Sequence, residues 1–132
     1  MSIVRIGGTN RYSDVVVFDK RVYLSGVVPN IYAPVYEQTK EILTRIESIL
    51  TSAGSSKKNI LNMTTYLIDE KSYEDMNRAF DEWIPKDCAP ARATIGNVKF
   101  PNPLWKVEIT LIACTSELPK QEMNSSYINY IV

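Results

Sequence analysis

Histidine is absent from all 132 residues. That absence excludes Ser-His-Asp and Cys-His catalysis and any histidine-ligated metal site. Acid–base chemistry falls to carboxylates, lysine, tyrosine, cysteine, the backbone or water. Cysteine is scarce. Cys88 and Cys114 stand alone, without paired-motif spacing, which reads as a reduced, cytoplasmic setting. No apolar run approaches the ~20 residues that a membrane helix needs, so no membrane partner is expected. Met1 to Gly8 lacks the cationic-then-apolar pattern of a secretory leader. Net charge is also lacking. Fifteen Lys and Arg balance 15 Asp and Glu, so bulk charge makes no case for nucleic acid. No residue set suggests a metal or an organic cofactor.

What is present is ordinary globular composition, 45% apolar and 23% charged. The length fits one domain. A chain of this size leaves roughly a third of its unfolded surface exposed after folding. One sheet with helices on one side leaves its other side bare, and copies of the same chain can cover it.

Ile3 to Ile6 is a short β-like segment stopped by Gly7-Gly8. Val15 to Phe18 and Val22 to Leu24 flank Asp19-Lys20, which predicts a hairpin. Ser25-Gly26 is expected to end the second run, and Pro29-Asn30 to open a loop. From about Pro34 to Ala53, Val35, Thr39, Ile42, Leu43, Ile46, Ile49 and Leu50 recur at helical steps, with Gly54 as a stop. Ile60 to Ile68 reads as a strand. Ser72 is expected to cap a helix whose apolar stripe is Tyr73, Met76, Ala79, Phe80 and Trp83. Ala91 to Ile95 and Trp105 to Ala113 are the last strands. The order β-β-β-α-β-α-β-β predicts an α+β fold with a single mixed six-stranded sheet and two helices on one face. Residues 1–114 form the expected domain. Residues 115–132 form an extension that either frays or docks on a neighbour, as the apolar Tyr127 to Val132 end allows.

Alternation bears on chemistry. If Trp105, Val107 and Ile109 pack on the helices, then Lys106, Glu108 and Thr110 point away. By the same logic Ala91, Ala93 and Ile95 share the helix side, and Arg92 and Thr94 the other. Arg92 and Glu108 are therefore expected together on the helix-free face. One Arg with one Glu also fits a structural ion pair or two solvated charges.

Cys88-Ala89-Pro90-Ala91-Arg92-Ala93-Thr94, with Lys106-Val107-Glu108-Ile109 and Leu111-Ile112-Ala113, resembles the signature of the Rid family. These are the reactive intermediate deaminases, also called the YjgF family. Ser25-Gly26 with Pro29, Gln38 to Gly54, Asn62 to Leu67, and Met76-Asn77 with Phe80 and Trp83 extend the likeness. Ile3 to Ile6 and Tyr12 to Val16 resemble the YoaB-like branch. The match runs over roughly residues 2 to 114, in order.

The resemblance implies a fold like the small trimeric chorismate mutases, a homotrimer with ligand clefts between subunits. It implies hydrolysis of 2-imino or enamine acids such as 2-aminoacrylate to 2-keto acids and ammonia. By position, Arg92 is the implied grip on the substrate carboxylate, and Glu108 the acid–base or water-orienting group. Tyr12, Ser25, Gly26, Asn77 and Thr94 line the implied site. Tyr12 also reads as packing, Asn77 as a brace, and Ser25-Gly26 as a bend. Thr94 stands where many relatives have cysteine, which excludes an essential thiol there. Lys99 to Trp105 departs from the common form and either reshapes the cleft or is a neutral loop. A different class of function uses the same residues: a binding module that holds a 2-keto acid without turning it over. A ribonuclease role fits less well with zero net charge and no histidine.

Overall fold

A computed structural model describes residues 2–115. The expectation for the tail, 115–132, lies outside the described residues but for Thr115. Six strands form one sheet: β1 (Val4–Ile6), β2 (Val15–Phe18), β3 (Arg21–Val27), β4 (Ile60–Leu67), β5 (Ala91–Ile95) and β6 (Val107–Cys114). Helix α1 (Val35–Ser52) joins β3 to β4, and α2 (Tyr73–Trp83) joins β4 to β5. The spatial order is β1-β2-β3-β6-β4-β5. Among the described residues, β4 and β5 are the one pair of neighbouring strands that runs parallel, and α2 is the crossover between them. The mixed sheet, the element order and the two helices are as the sequence pattern predicts.

Asp19 and Lys20 both take positive φ, 51° and 66°. This is the turn geometry whose twist matches a two-residue hairpin. The strand does not stop at Ser25-Gly26, however. β3 runs on to Val27 through a register shift against β6 between Leu24 and Val27. A bulge of this kind bends the strand without ending it.

The α2 cap also differs from expectation. Ser72 makes no side-chain cap of its own. Asp69 does the work: its carboxylate accepts from the Ser72 amide at 2.9 Å and the Ser72 hydroxyl at 2.7 Å. A short 3-10 turn over Glu70–Ser72 moves the cap back three residues.

The core lies between helices and sheet. Val22, Leu24, Met63, Leu67, Val107, Ile109 and Leu111 meet Ile42, Leu43, Ile46, Leu50, Met76 and Phe80. Along β6 every second residue from Val107 is buried, and the residues between are half-buried. One face of the sheet is thus covered by the helices. Tyr23, Ile95 and Ala93 are exposed on the other face.

Candidate functional site

Strand alternation and register decide where the candidate residues stand. Glu108 pairs with Tyr66 across β6 and β4, on the helix-free side. β5 lies parallel to β4 with Arg92 beside Met63 and Thr94 beside Thr65. Met63 and Thr65 are buried under the helices. Arg92 and Thr94 therefore lie on the helix side, which corrects the expectation that Arg92 shares a face with Glu108. The reason is that β5 is an edge strand. Its helix side is covered only in part and accepts polar residues, while Ala91, Ala93 and Ile95 face the open side.

The contacts of Arg92 agree. Its Nη2 donates to Asn77 Oδ1 of α2 at 2.6 Å, and its Cζ lies 4.6 Å from the centre of the Phe80 ring. A guanidinium stacked on an aromatic face with one edge bonded is held in direction as well as in place. Asn77 thus braces the arginine.

The second group gathers around the end of β3, where α1 also borders the space. Tyr12, Ser25, Gly26 and Glu108 line one open cavity of about 720 Å³, together with Asp14, Arg45, Ile49 and Trp105. Tyr12, on the loop between β1 and β2, is half exposed. The Ser25 hydroxyl donates to the Ser13 carbonyl at 2.6 Å, and its amide to Asp14 O at 3.1 Å. Ser25 therefore straps the Tyr12 loop to β3. Of the Lys99–Trp105 segment, Trp105 reaches the same cavity.

Gly26 explains itself by close approach. A Cβ there would sit 2.0 Å from Glu108 Oε2 and 2.9 Å from its Cδ. The bulge and the missing side chain together let the carboxylate lie against the β3 backbone. Burial pushes the Glu108 carboxyl above its ordinary value of 4.5, because a desolvated carboxylate loses hydration. A carboxyl that keeps its proton nearer to neutral pH suits general acid–base exchange.

Sequence reasoning missed Gln38. It is fully buried in α1, and its amide bonds three backbone groups, one in the loop that leads into α1 and two just before β6. The signal was present: a polar residue one turn after Val35, inside the apolar stripe.

A single mixed sheet under two helices, with a carboxyl lodged at a bulge near the end of a strand, marks a small α+β protein. The family described as endoribonuclease L-PSP matches residues 2–115, and the chain belongs to it. It is 40% identical over 113 residues to the RutC family protein YoaB of Escherichia coli (strain K12), covering 86% of this chain and 98% of that one. It is 43% identical over 115 residues to a RutC family protein of Haemophilus influenzae, with the same coverage of 86% and 98%. A solved YjgF-family structure from Neisseria meningitidis superposes with a TM-score of 0.85 at 35% identity, covering 89% of this chain and 98% of that one. The Rid/YjgF resemblance read from the sequence, including its YoaB-like character, is borne out.

Proposed function

We propose that the protein hydrolyses 2-imino and enamine acids to 2-keto acids and ammonia, in clefts between the copies of a cytoplasmic homotrimer built from its 1–114 domain. The observation that carries this reading is the division of the candidate residues. Arg92, Asn77 and Thr94 stand on the helix side at the β5 edge. Tyr12, Ser25, Gly26 and Glu108 stand around a cavity beyond it. One chain does not join them. A neighbour that lays its β5 edge against this cavity does, and it also covers the open sheet face.

In that cleft Arg92, steadied by Asn77 and Phe80, offers its free N–H groups to the substrate carboxylate. An enamine first takes a proton at carbon from neutral Glu108. The resulting carboxylate then takes a proton from water as its oxygen bonds to the imine carbon. Glu108, protonated again, gives that proton to the amino nitrogen; as the C–N bond breaks and ammonia leaves, the hydroxyl proton returns to Glu108 and the carbonyl forms. One water is consumed for each ammonia released. Positioning and charge placement supply the acceleration. No metal or cofactor enters the scheme.

The test generates the imine in situ with an amino-acid oxidase or a threonine dehydratase and follows keto-acid release. The wild type is expected to outpace buffer, and Arg92→Ala to approach buffer. A wild type no faster than buffer overturns the reading.

A further inference from the structure

We infer that Gln38 is a positioning residue for Glu108, holding the start of β6 so that the carboxylate stays lodged against Gly26. This rests on the reading of Glu108 as the acid–base group. The geometry is specific. Gln38 Nε2 donates to Leu104 O at 2.7 Å, and Gln38 Oε1 accepts from Lys106 N at 2.9 Å. A peptide group of a neighbouring strand makes the same pair of bonds. The side-chain amide thus serves as a one-residue strand partner for the chain just before β6.

On its other side Lys106 O accepts from Ile68 N at 2.9 Å. Residue 106 is therefore fixed through both backbone groups. Residue 106 directly precedes β6, two residues before Glu108, so a shift of the backbone there carries to the Glu108 carboxyl.

The same amide reaches the other wall of the site. Gln38 Nε2 also donates to Ile31 O at 2.9 Å, in the loop that leaves β3 after Gly26. Two further α1 side chains on that flank grip the loop: Glu41 Oε1 accepts from Asn30 N at 2.6 Å, and Arg45 Nη1 donates to Val28 O. Spacings of three and four residues put Gln38, Glu41 and Arg45 in one row on α1. Gln38 hydrogen-bonds both chain segments, the one after Gly26 and the one before Glu108, and the Lys106 ammonium over the Tyr32 ring links the same two. It is fully buried, so water does not substitute for it. Its removal leaves three backbone groups to find other partners.

The test is Gln38→Leu, close in volume and without the amide. Two readings are taken in the full-length protein: steady-state kinetics, and the carbon-13 titration of the Glu108 carboxyl without substrate. Tyr12, Asp14 and Arg45 line the same cavity, so the titration is assigned to Glu108 by comparison with Glu108→Gln. We expect kcat to fall on the order of tenfold, with KM within about twofold. The Glu108 midpoint is expected to drop toward the ordinary carboxylate range as water reaches it. If the leucine variant does not fold, Gln38→Glu gives the same readings. It keeps an acceptor for Lys106 and loses both donors. A folded variant whose Glu108 titration matches the wild type overturns the proposal. Failure of the deaminase reading shows separately, in the wild-type assay, and leaves the titration to decide on Gln38.

Discussion

The Glu108 carboxylate occupies the space in which a side chain on residue 26 would begin. Its Oε2 lies 2.0 Å from the position of an ideal Gly26 Cβ. The two residues sit on adjacent strands, at the bulge that shifts β3 against β6. Glycine at 26 is thus set by what lies over it and not by an unusual φ.

Gly26→Ala follows directly. The atom in the way is the far end of a flexible side chain, so the fold accommodates the methyl by moving Glu108. Stability is expected to fall by about 1 kcal/mol or less, while turnover drops at least about tenfold because the carboxyl leaves its seat. Denaturant unfolding alongside the imine assay checks both. Equal losses in the two, or unchanged turnover, contradict the account.

Asn77→Ala removes the acceptor that directs Arg92 Nη2 and leaves the Phe80 stack intact. A bond to a charged group contributes about 1.5–3 kcal/mol. KM is expected to rise about tenfold or more, with a smaller change in kcat, since the arginine grips the carboxylate in ground and transition states alike. Arg92→Lys, which keeps the charge and loses the fork, is expected to shift KM in the same direction. An unchanged KM in both variants removes Arg92 from the site.

Glu108 gives a prediction in pH. Its folded carboxyl titrates above 4.5 because burial disfavours the charged form. Below that value both states are protonated and its cost is absent. As pH rises through the folded midpoint, the unfolded chain ionises first and stability is lost. Glu108→Gln does not ionise. The variant is therefore expected to be more stable than the wild type near neutral pH, with the difference vanishing toward pH 4.5 and below. Denaturant melts across that window check the sign. A difference that grows as pH falls contradicts the assignment of burial as the cause.

Much of this was legible in the sequence, for local reasons. The β6 alternation is carried by Val107, Ile109 and Leu111, which all face one dense core, so Glu108 was placed correctly. The β5 alternation gave the right parity and the wrong side. The rule that apolar residues face the helices holds where the core is in the same chain. At the β5 edge, Ala91, Ala93 and Ile95 face the open side of the sheet instead. Only the register with Met63 and Thr65 reveals it. The bulge at Ser25-Gly26 read as a strand end, because Ser-Gly is also turn chemistry. Asp69 was hidden behind Ser72 because a 3-10 turn precedes α2. The reach of Gln38 to residues 104 and 106 is long-range and leaves no local pattern, although its place in the α1 stripe marks it as buried.

The central claim is that the site is completed only between two copies, one giving Arg92 and the next giving Glu108. Mixing unfolded Arg92→Ala and Glu108→Gln chains in equal amounts and refolding them together tests it most directly. In a cyclic assembly a cleft is intact when an Arg92-bearing chain meets a Glu108-bearing one, which random mixing gives in about a quarter of clefts. The mixture is then expected to recover about that fraction of wild-type turnover, although each variant refolded alone is inactive. A mixture no more active than its parts contradicts a shared site.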